Sequence, residues 1–553
     1  MKAYTVGVDF GTLSARAVLT DTENGRELAC ASMDYPHGVM DKVLTDHGVA
    51  LPADFALQDP ADYLLALEAV LAAVMRKASV APDEVVGIGI DFTTCTLLSV
   101  TEDGTPLCHL PEFEKTPLAY ALLWKHHAAA PYAKRLTEIA RERGEKFLDP
   151  VGGSISEEWV LPKICQVFFE APEVYRGARY FIEAGDWIVW QLCGKQARSY
   201  PLAASKALFR KDKGYPDGSL LAEMDEALRH VVRDKLLPPV AVLGKRAGTV
   251  SEKAAARFGL KAGAAVGPAM PDAHVAASAL GIQKSGDMFA ILGTSGCFFL
   301  VDEREIPVRG ICGTLPDTVL PGLFGYEAGL CCFGDHFAYA AKNLTSPDYV
   351  KEAKERGIPM LPLLFEKASE KAPGESGVLA LNWFNGNRNT LCDPQLSGAL
   401  IGVTLQTAPE DILRALVEAT AFGWRSILER YTENGIEISR IVASGGIALK
   451  NAFCMQLYAD VLGRDIEVAA TREAPALGSA IVAAVAAGCY PDLPSAMNKM
   501  SSEVCRIFHP VPAHSAIYNE LYAEYKRLHD YFGKGENQVM HRLRHLAAEQ
   551  KRS

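Results

Sequence analysis

The sequence predicts an α/β protein of two related lobes, and three observations carry that prediction. A strand–turn–strand figure opens the chain and returns near residue 287. Helical stretches alternate with strands in both halves, as expected of a layered α/β architecture. At 553 residues the chain is also too long for one ordinary core, so two large lobes are expected, with the cleft between them as the default site.

The elements follow in order. Tyr4 to Val8 is a short apolar run, DFGT is a turn, and Ala15 to Leu19 is a second run ending at Asp21. Asn24-Gly25 signals a hairpin before Glu27 to Cys30. Asp62 to Lys77 carries apolar residues at helical spacing, and VVGIGIDFTTCTLLSV from Val85 reads as two strands around a polar turn. In the second half DMFAILGTSGCFFLVDE repeats the opening plan of strand, glycine–threonine turn and strand, which we read as a duplicated β-unit. TAPE at Thr407 to Glu410 predicts a capping box ahead of the helix DILRALVEATAFGWRSILERY, which Asn434-Gly435 ends. ISRIVASGGIALKN then supplies a strand, a glycine turn and Asn451 as the N-cap of AFCMQLYADVLG. The basic segment from Lys526 to Ser553 predicts a solvated helix and a frayed tail.

Composition narrows the partners. Hydrophobic residues make up 49% and charged residues 22%, which is globular rather than disordered or fibrous. A net charge of −11 argues against nucleic-acid or anionic-membrane partners. The thirteen cysteines include no CxxC pair, and the adjacent Cys331 and Cys332 suit neither a disulfide framework nor a zinc site. That pattern predicts reduced thiols in a cytoplasmic protein. The N-terminus enters a strand without an apolar signal segment, and AIVAAVAAG near residue 480 is too short to span a bilayer.

Several motifs could carry chemistry. No Walker A, GxGxxG, HExxH or GxSxG pattern occurs. VDFGT (Val8 to Thr12) sets an acid at a strand's end before a turn rich in backbone donors. Such a turn suits a phosphate with its metal, although taken alone an Asp-containing β-turn explains it more simply. GTSG (Gly293 to Gly296) offers a similar cradle with two hydroxyls. ASGG (Ala443 to Gly446) would let a purine or ribose lie against backbone, and a plain strand-to-helix turn would need the same glycines. The two histidines of LWKHH are neighbours and point apart, so chelation is not expected. GYEAG flanks Glu327 with glycines, which fits a ligand-binding carboxylate on a tight loop or a simple turn acid. GPAMPDAHVAASALG sets one carboxylate, Asp272, in an otherwise small and apolar run, where it is costly unless paired or used.

Taken in order, these pieces resemble the FGGY carbohydrate kinases. IGIDFTTCT, LLWKHHAA, GYEAG, LNWFNGNR, TAFGWRSI, GGIALKN and APALGSAI are similar to segments of that family in the same succession, over nearly the whole chain. Ser397 to Glu418 is close to its C-terminal signature, with Leu416 where a smaller or differently branched residue is usual. The resemblance implies two ribonuclease-H-like lobes of the actin–hexokinase superfamily around a central catalytic cleft. Residues 1–282 would bind sugar and carry the first phosphate loop, and residues 283–553 would bind ATP. It implies ATP and Mg2+ as cofactors and a pentulose, ribulose, as substrate, held deep in the first lobe and phosphorylated at its terminal 5-hydroxyl. Another ketose or polyol such as xylulose is the alternative, and a nucleotide-dependent scaffold of the actin-like superfamily is the rival from a different class. The assembly stays open, with a homodimer compatible.

Residue by residue, the resemblance puts Asp272 at the family's catalytic base, near the metal, and Asp9 at the metal-associated acid. Gly11, Thr12 and Arg16 fall in the first phosphate loop, and Gly293, Thr294 and Ser295 in the second. Gly445, Gly446 and Asn451 match the adenosine-facing turn. Thr94, Lys206 and Glu327, with Asp272, fall on sugar-binding positions. Two departures stand out. Ala269 and Pro271 occupy a stretch where glycine is usual, and the N-terminal signature with its lysine and tryptophan is not recognisable around Trp159 to Gln166. At the N-terminus of the helix AHVAASALG, Asp272 is expected to stay ionised.

Overall fold

The computed structural model describes residues 2–552. The first half contributes β1 (Tyr4–Phe10), β2 (Ser14–Asp21), β3 (Glu27–Asp34), β4 (Val85–Phe92), β5 (Gly248–Thr249), β6 (Ala265–Val266) and β7 (Met270–Pro271). They form one sheet in the order β5-β6-β4-β1-β2-β3, with β7 also beside β4. The second half contributes β8 (Asp287–Leu292), β9 (Gly296–Asp302), β10 (Gly313–Pro316), β11 (Phe324–Leu330), β12 (Arg440–Ser444), β13 (Ile466–Ala469) and β14 (Val504–Phe508). Their order is β10-β11-β9-β8-β12-β13-β14. In each half the first strand pairs antiparallel with the second and parallel with a strand reached through a helix: β1 with β2 and β4, β8 with β9 and β12. The duplicated β-unit read from two hairpins is thus a duplicated topology.

Six helices position the site: α1 (Pro60–Ala78), α2 (Tyr200–Lys206), α3 (Asp272–Ala279), α4 (Pro409–Glu433), α5 (Ala452–Leu462) and α6 (Ala474–Ala486). α3 and α6 lie at the junction of the sheets. Val275 and Ala276 of α3 and Leu477 and Ile481 of α6 are buried with Phe289, Phe299 and Val442 of the second sheet. α6 also presses on the first sheet at backbone contact. A methyl group on Gly7 would lie 1.8 Å from the Ala476 carbonyl oxygen, and one on Gly89 would lie 1.9 Å from that of Ser479. One on Gly478 would lie 2.1 Å from the Val275 oxygen, so glycine is required where the helices and strands meet.

The local expectations need four corrections. The two strands of VVGIGIDFTTCTLLSV belong to different sheets: β4 lies in the first, while Leu97–Val100 joins Leu57–Gln58, Ala121–Leu122 and Tyr180–Glu183 in a separate four-stranded one. The capping box is displaced, because Pro409 takes the first helical position of α4 and makes Ala408 the N-cap. Asp411 accepts from the Ala408 amide at 2.9 Å, while the Thr407 hydroxyl accepts from the Thr404 amide at 2.8 Å instead. The basic C-terminal segment is partly docked rather than simply solvated: Met540 is buried, His541 Nε2 lies 2.8 Å from Asp393, and Arg544 donates to the Leu396 carbonyl at 3.0 Å. The frayed end expected at Ser553 lies outside the described residues. Finally, Glu327 sits on the strand β11 and not on a tight loop.

Among the described residues all thirteen cysteines are free, and no helix is long and apolar enough to cross a membrane.

Candidate active site

Strand register gathers the acids. Asp9 stands opposite Asp91 on the parallel pair β1–β4, and Met270 of β7 stands opposite Asp91 on its other side. Asp272 follows β7 directly, as the first residue of α3. Three carboxylates therefore meet where three neighbouring strands end. Asp9 is buried, with Arg16 Nη1 at 3.5 Å. Burial lifts its carboxyl above the usual range against the hydrogen bond from Asp91 and the charge of Arg16. Asp91 is pushed well above that range, by burial first and then by the charge of Asp9. Two adjacent buried carboxylates resist ionising together, and of this pair Asp91 is pushed the further. The Ser479 hydroxyl of α6 donates to Asp91 Oδ2 at 2.6 Å, and Oδ1 is buried with no partner. Sequence reasoning missed Asp91, although VGVDFGT and IGIDFTT repeat one pattern and set an acid at the same strand position.

Asp272 corrects one expectation. Its Oδ1 accepts from the Ala273 amide at 2.8 Å, as a helix start provides. Burial and then the charge of Asp9 nevertheless outweigh that amide and raise the carboxyl to about 7. The helix terminus alone does not keep it ionised. Just before it, Pro271 pairs with β4 and precedes the helix with φ −60°.

The sugar-side candidates come from both halves. Lys206, the last residue of α2, places Nζ 2.9 Å from Glu327 Oε2. His274 Nε2 lies 3.5 Å from the same oxygen. Burial alone would raise Glu327, but Lys206 and His274 hold it well below the usual range. The Lys206–Glu327 pair thus joins α2 of the first half to β11 of the second sheet. Thr94 is half-buried in the turn after β4. Lys163 pins that turn by donating to the Cys95 carbonyl at 2.7 Å, and Glu183 accepts from the Cys95 amide at 2.7 Å. Both Lys163 and Trp159, whose ring lies 5.9 Å from Lys206 Nζ, come from the stretch in which no signature was recognisable. Opposite, Arg388 and His127 both approach Glu158 Oε1, at 3.4 and 3.3 Å, joining the LNWFNGNR loop to the first half. His126 turns inward to Gln166 at 2.8 Å, while His127 faces Glu158, so the two neighbours point apart.

The two glycine–threonine turns are built alike. Gly11 closes a tight turn on Ser14 at 3.0 Å, and Thr12 accepts from Trp124 Nε1 at 3.0 Å. Gly293 closes the matching turn on Ser295 at 3.0 Å. Among the described residues the amides of Thr12, Leu13, Thr294 and Ser295 have no protein acceptor, which leaves donors for phosphate oxygens. Gly445 has φ +97°, and a methyl group there would lie 2.6 Å from the Leu292 oxygen, so this glycine turn abuts the strand end that leads into the Gly293 turn. Gly446 opens the short helix that follows, and the Asn451 side-chain oxygen caps α5 by accepting from Cys454 at 3.0 Å. That leaves the Asn451 amide group for a ligand. Asp9 and Asp272, two carboxylates near enough to feel each other's charge, offer the oxygen donors a hard divalent cation takes.

Family models for carbohydrate kinases match the chain in two parts. The N-terminal domain of the FGGY family covers residues 4–281, and the C-terminal domain covers residues 288–487. The ribulokinase of Bacillus licheniformis is 46% identical over 538 residues, covering 97% of each chain. That of Halalkalibacterium halodurans is 46% identical over 553 residues, covering 99% of this chain and 98% of the relative. Two solved structures share the fold. Xylulose kinase from Rhodospirillum rubrum has a TM-score of 0.77 at 23% identity, covering 95% of this chain and 98% of its own. Gluconate kinase from Lactobacillus acidophilus has a TM-score of 0.78 at 18% identity, covering 97% and 99%. With both domains matched in order and relatives aligned end to end, the chain belongs to the FGGY family of carbohydrate kinases.

Proposed function

We propose that this enzyme is a ribulokinase, transferring the γ-phosphoryl group of ATP to the terminal 5-hydroxyl of ribulose. The position of Asp272 carries the reading: it feels Asp9 on the phosphate side and Glu327 on the sugar side. End-to-end similarity to relatives named ribulokinase supports it. Lys206 and Glu327, with Thr94, bind sugar hydroxyls. The free amides of the two glycine–threonine turns cradle the phosphates, Arg16 stands at their mouth, and Gly445, Gly446 and Asn451 face the adenosine. Magnesium, when bound, supplies positive charge to the phosphates, and Asp9 and Asp272 would hold it with Asp91 behind them.

In the transfer the O5–phosphorus bond forms, the bond from phosphorus to the β,γ-bridging oxygen breaks, and the hydroxyl proton passes to Asp272. A loose transition state asks little basicity of the acceptor, so positioning dominates. Residues 1–282 form the lobe of the first phosphate loop and most of the sugar site, and residues 283–553 the ATP lobe, which also lends Glu327. We assign L-ribulose, formed in L-arabinose breakdown, as the substrate and the cytoplasm as the compartment.

A coupled ADP-release assay with D- and L-ribulose and D- and L-xylulose tests this. L-Ribulose should give the highest kcat/KM, with little ADP released when sugar is omitted. A preference for xylulose would move the enzyme to another branch of the family. ADP release indifferent to sugar would favour the scaffold reading.

A further inference from the structure

His274 is the third residue of α3, two positions after Asp272, and its ring is buried. The ring stands edge-on to Phe299, centroids 5.1 Å apart, and Phe299 is the cross-strand neighbour of Glu327. The imidazole is therefore wedged between the helix that carries Asp272 and the strand that carries Glu327. Its Nε2 faces Glu327 Oε2 at 3.5 Å, while its Nδ1 is buried with no hydrogen-bond partner. A carboxylate only accepts, so the ring proton belongs on Nε2 and Nδ1 is left as an orphaned acceptor. An orphaned buried polar atom is destabilising, and an apolar side chain would fill this wedge without one. A histidine here is explained by what Nε2 does.

We propose that His274 is a positioning residue for the sugar, acting through Glu327. Lys206 and His274 engage the same oxygen from α2 and α3, which leaves Oε1 as the oxygen available to a substrate hydroxyl. Because His274 and Asp272 share one helix turn, this link sets the sugar-holding carboxylate at a fixed offset from the base. The inference rests on Glu327 being a sugar ligand.

The test compares the wild type with His274→Leu, His274→Gln and His274→Asn, varying L-ribulose and ATP separately and following the melting temperature. His274→Leu should melt no lower than the wild type, since it removes the orphaned nitrogen. Its kcat/KM for ribulose should fall about tenfold, while the KM for ATP stays within about twofold. Glutamine, whose amide can reach Glu327, should recover most of the loss, and the shorter asparagine should not. Wild-type sugar kinetics in His274→Leu, or a loss shared equally by ATP and sugar, overturns the proposal. If the leucine variant does not fold, the Gln–Asn pair decides, and equal sugar kinetics in those two overturns it. A wild-type enzyme that phosphorylates no pentulose would sink the functional reading itself, with this inference along with it.

Discussion

Replacing Asp272 with asparagine keeps the shape of the side chain and removes its charge, so it separates two roles of one residue. Burial, with Asp9 nearby, raises this carboxyl from the ordinary 3.8 to about 7. Between those values the folded protein holds a proton that the unfolded chain has released. Stability therefore falls as pH rises through that window, and levels off above it. At about 1.4 kcal/mol per pH unit, the ionised group destabilises the ligand-free fold by roughly 4 kcal/mol at pH 8 and about 1 kcal/mol at pH 4.5. Partial access to water trims the first figure, so Asp272→Asn should be about 2–4 kcal/mol more stable than the wild type at pH 8. The advantage should shrink towards zero at acid pH. Turnover should move the opposite way, falling by about 10²- to 10⁴-fold at least, with ATP binding retained. Urea denaturation midpoints of both proteins in EDTA at the two pH values read the first effect, and ADP release reads the second. A stability difference independent of pH would refute buried charge as the cause of the raised value. Near-normal turnover by the folded variant would refute Asp272 as the base.

Three further outcomes follow from the geometry. Lys206→Ala and Glu327→Ala should each cost about 1–3 kcal/mol, mostly in kcat/KM for ribulose. Loss of ATP affinity with sugar affinity unchanged would show that these two residues serve the nucleotide instead. Gly478→Ala puts a methyl group 2.1 Å from the Val275 oxygen, so it should force α6 off α3 and destabilise by about 1–3 kcal/mol or more; a melting temperature equal to wild type would contradict that packing. The two glycine–threonine turns lie in different sheets, so if both hold the triphosphate, ribulose with a non-hydrolysable ATP analogue should compact the protein in small-angle scattering, and ATP hydrolysis without sugar should be far slower than transfer. An unchanged profile together with fast sugar-independent hydrolysis would count against a closing kinase.

Much of the candidate site was legible because its parts are local. VDFGT, GTSG and SGGIALKN each code a strand, a turn and a following element within a few residues, and turn chemistry and periodicity depend on near neighbours. Asp91 was legible too, had VGVDFGT and IGIDFTT been set side by side. His274 was not: in sequence it is one more residue of a small-residue helix, and only Glu327 on a strand some fifty positions later makes it significant.

By itself the sequence determined the order of strands and helices, their duplicated plan, the family resemblance and the identity of most candidate ligands. Tertiary structure decided how those residues pair and how they are charged. Lys206 and Glu327 are 121 positions apart, and Asp91 and Ser479 are 388 apart. No local pattern brings such residues together; that follows from α6 packing on the first sheet and β11 reaching across to α2. Asp272 shows the same division most clearly. Its presence at the start of α3 was written in the chain, but its proton affinity is set by burial and by Asp9 on another strand, and so exists only once the sheet has formed.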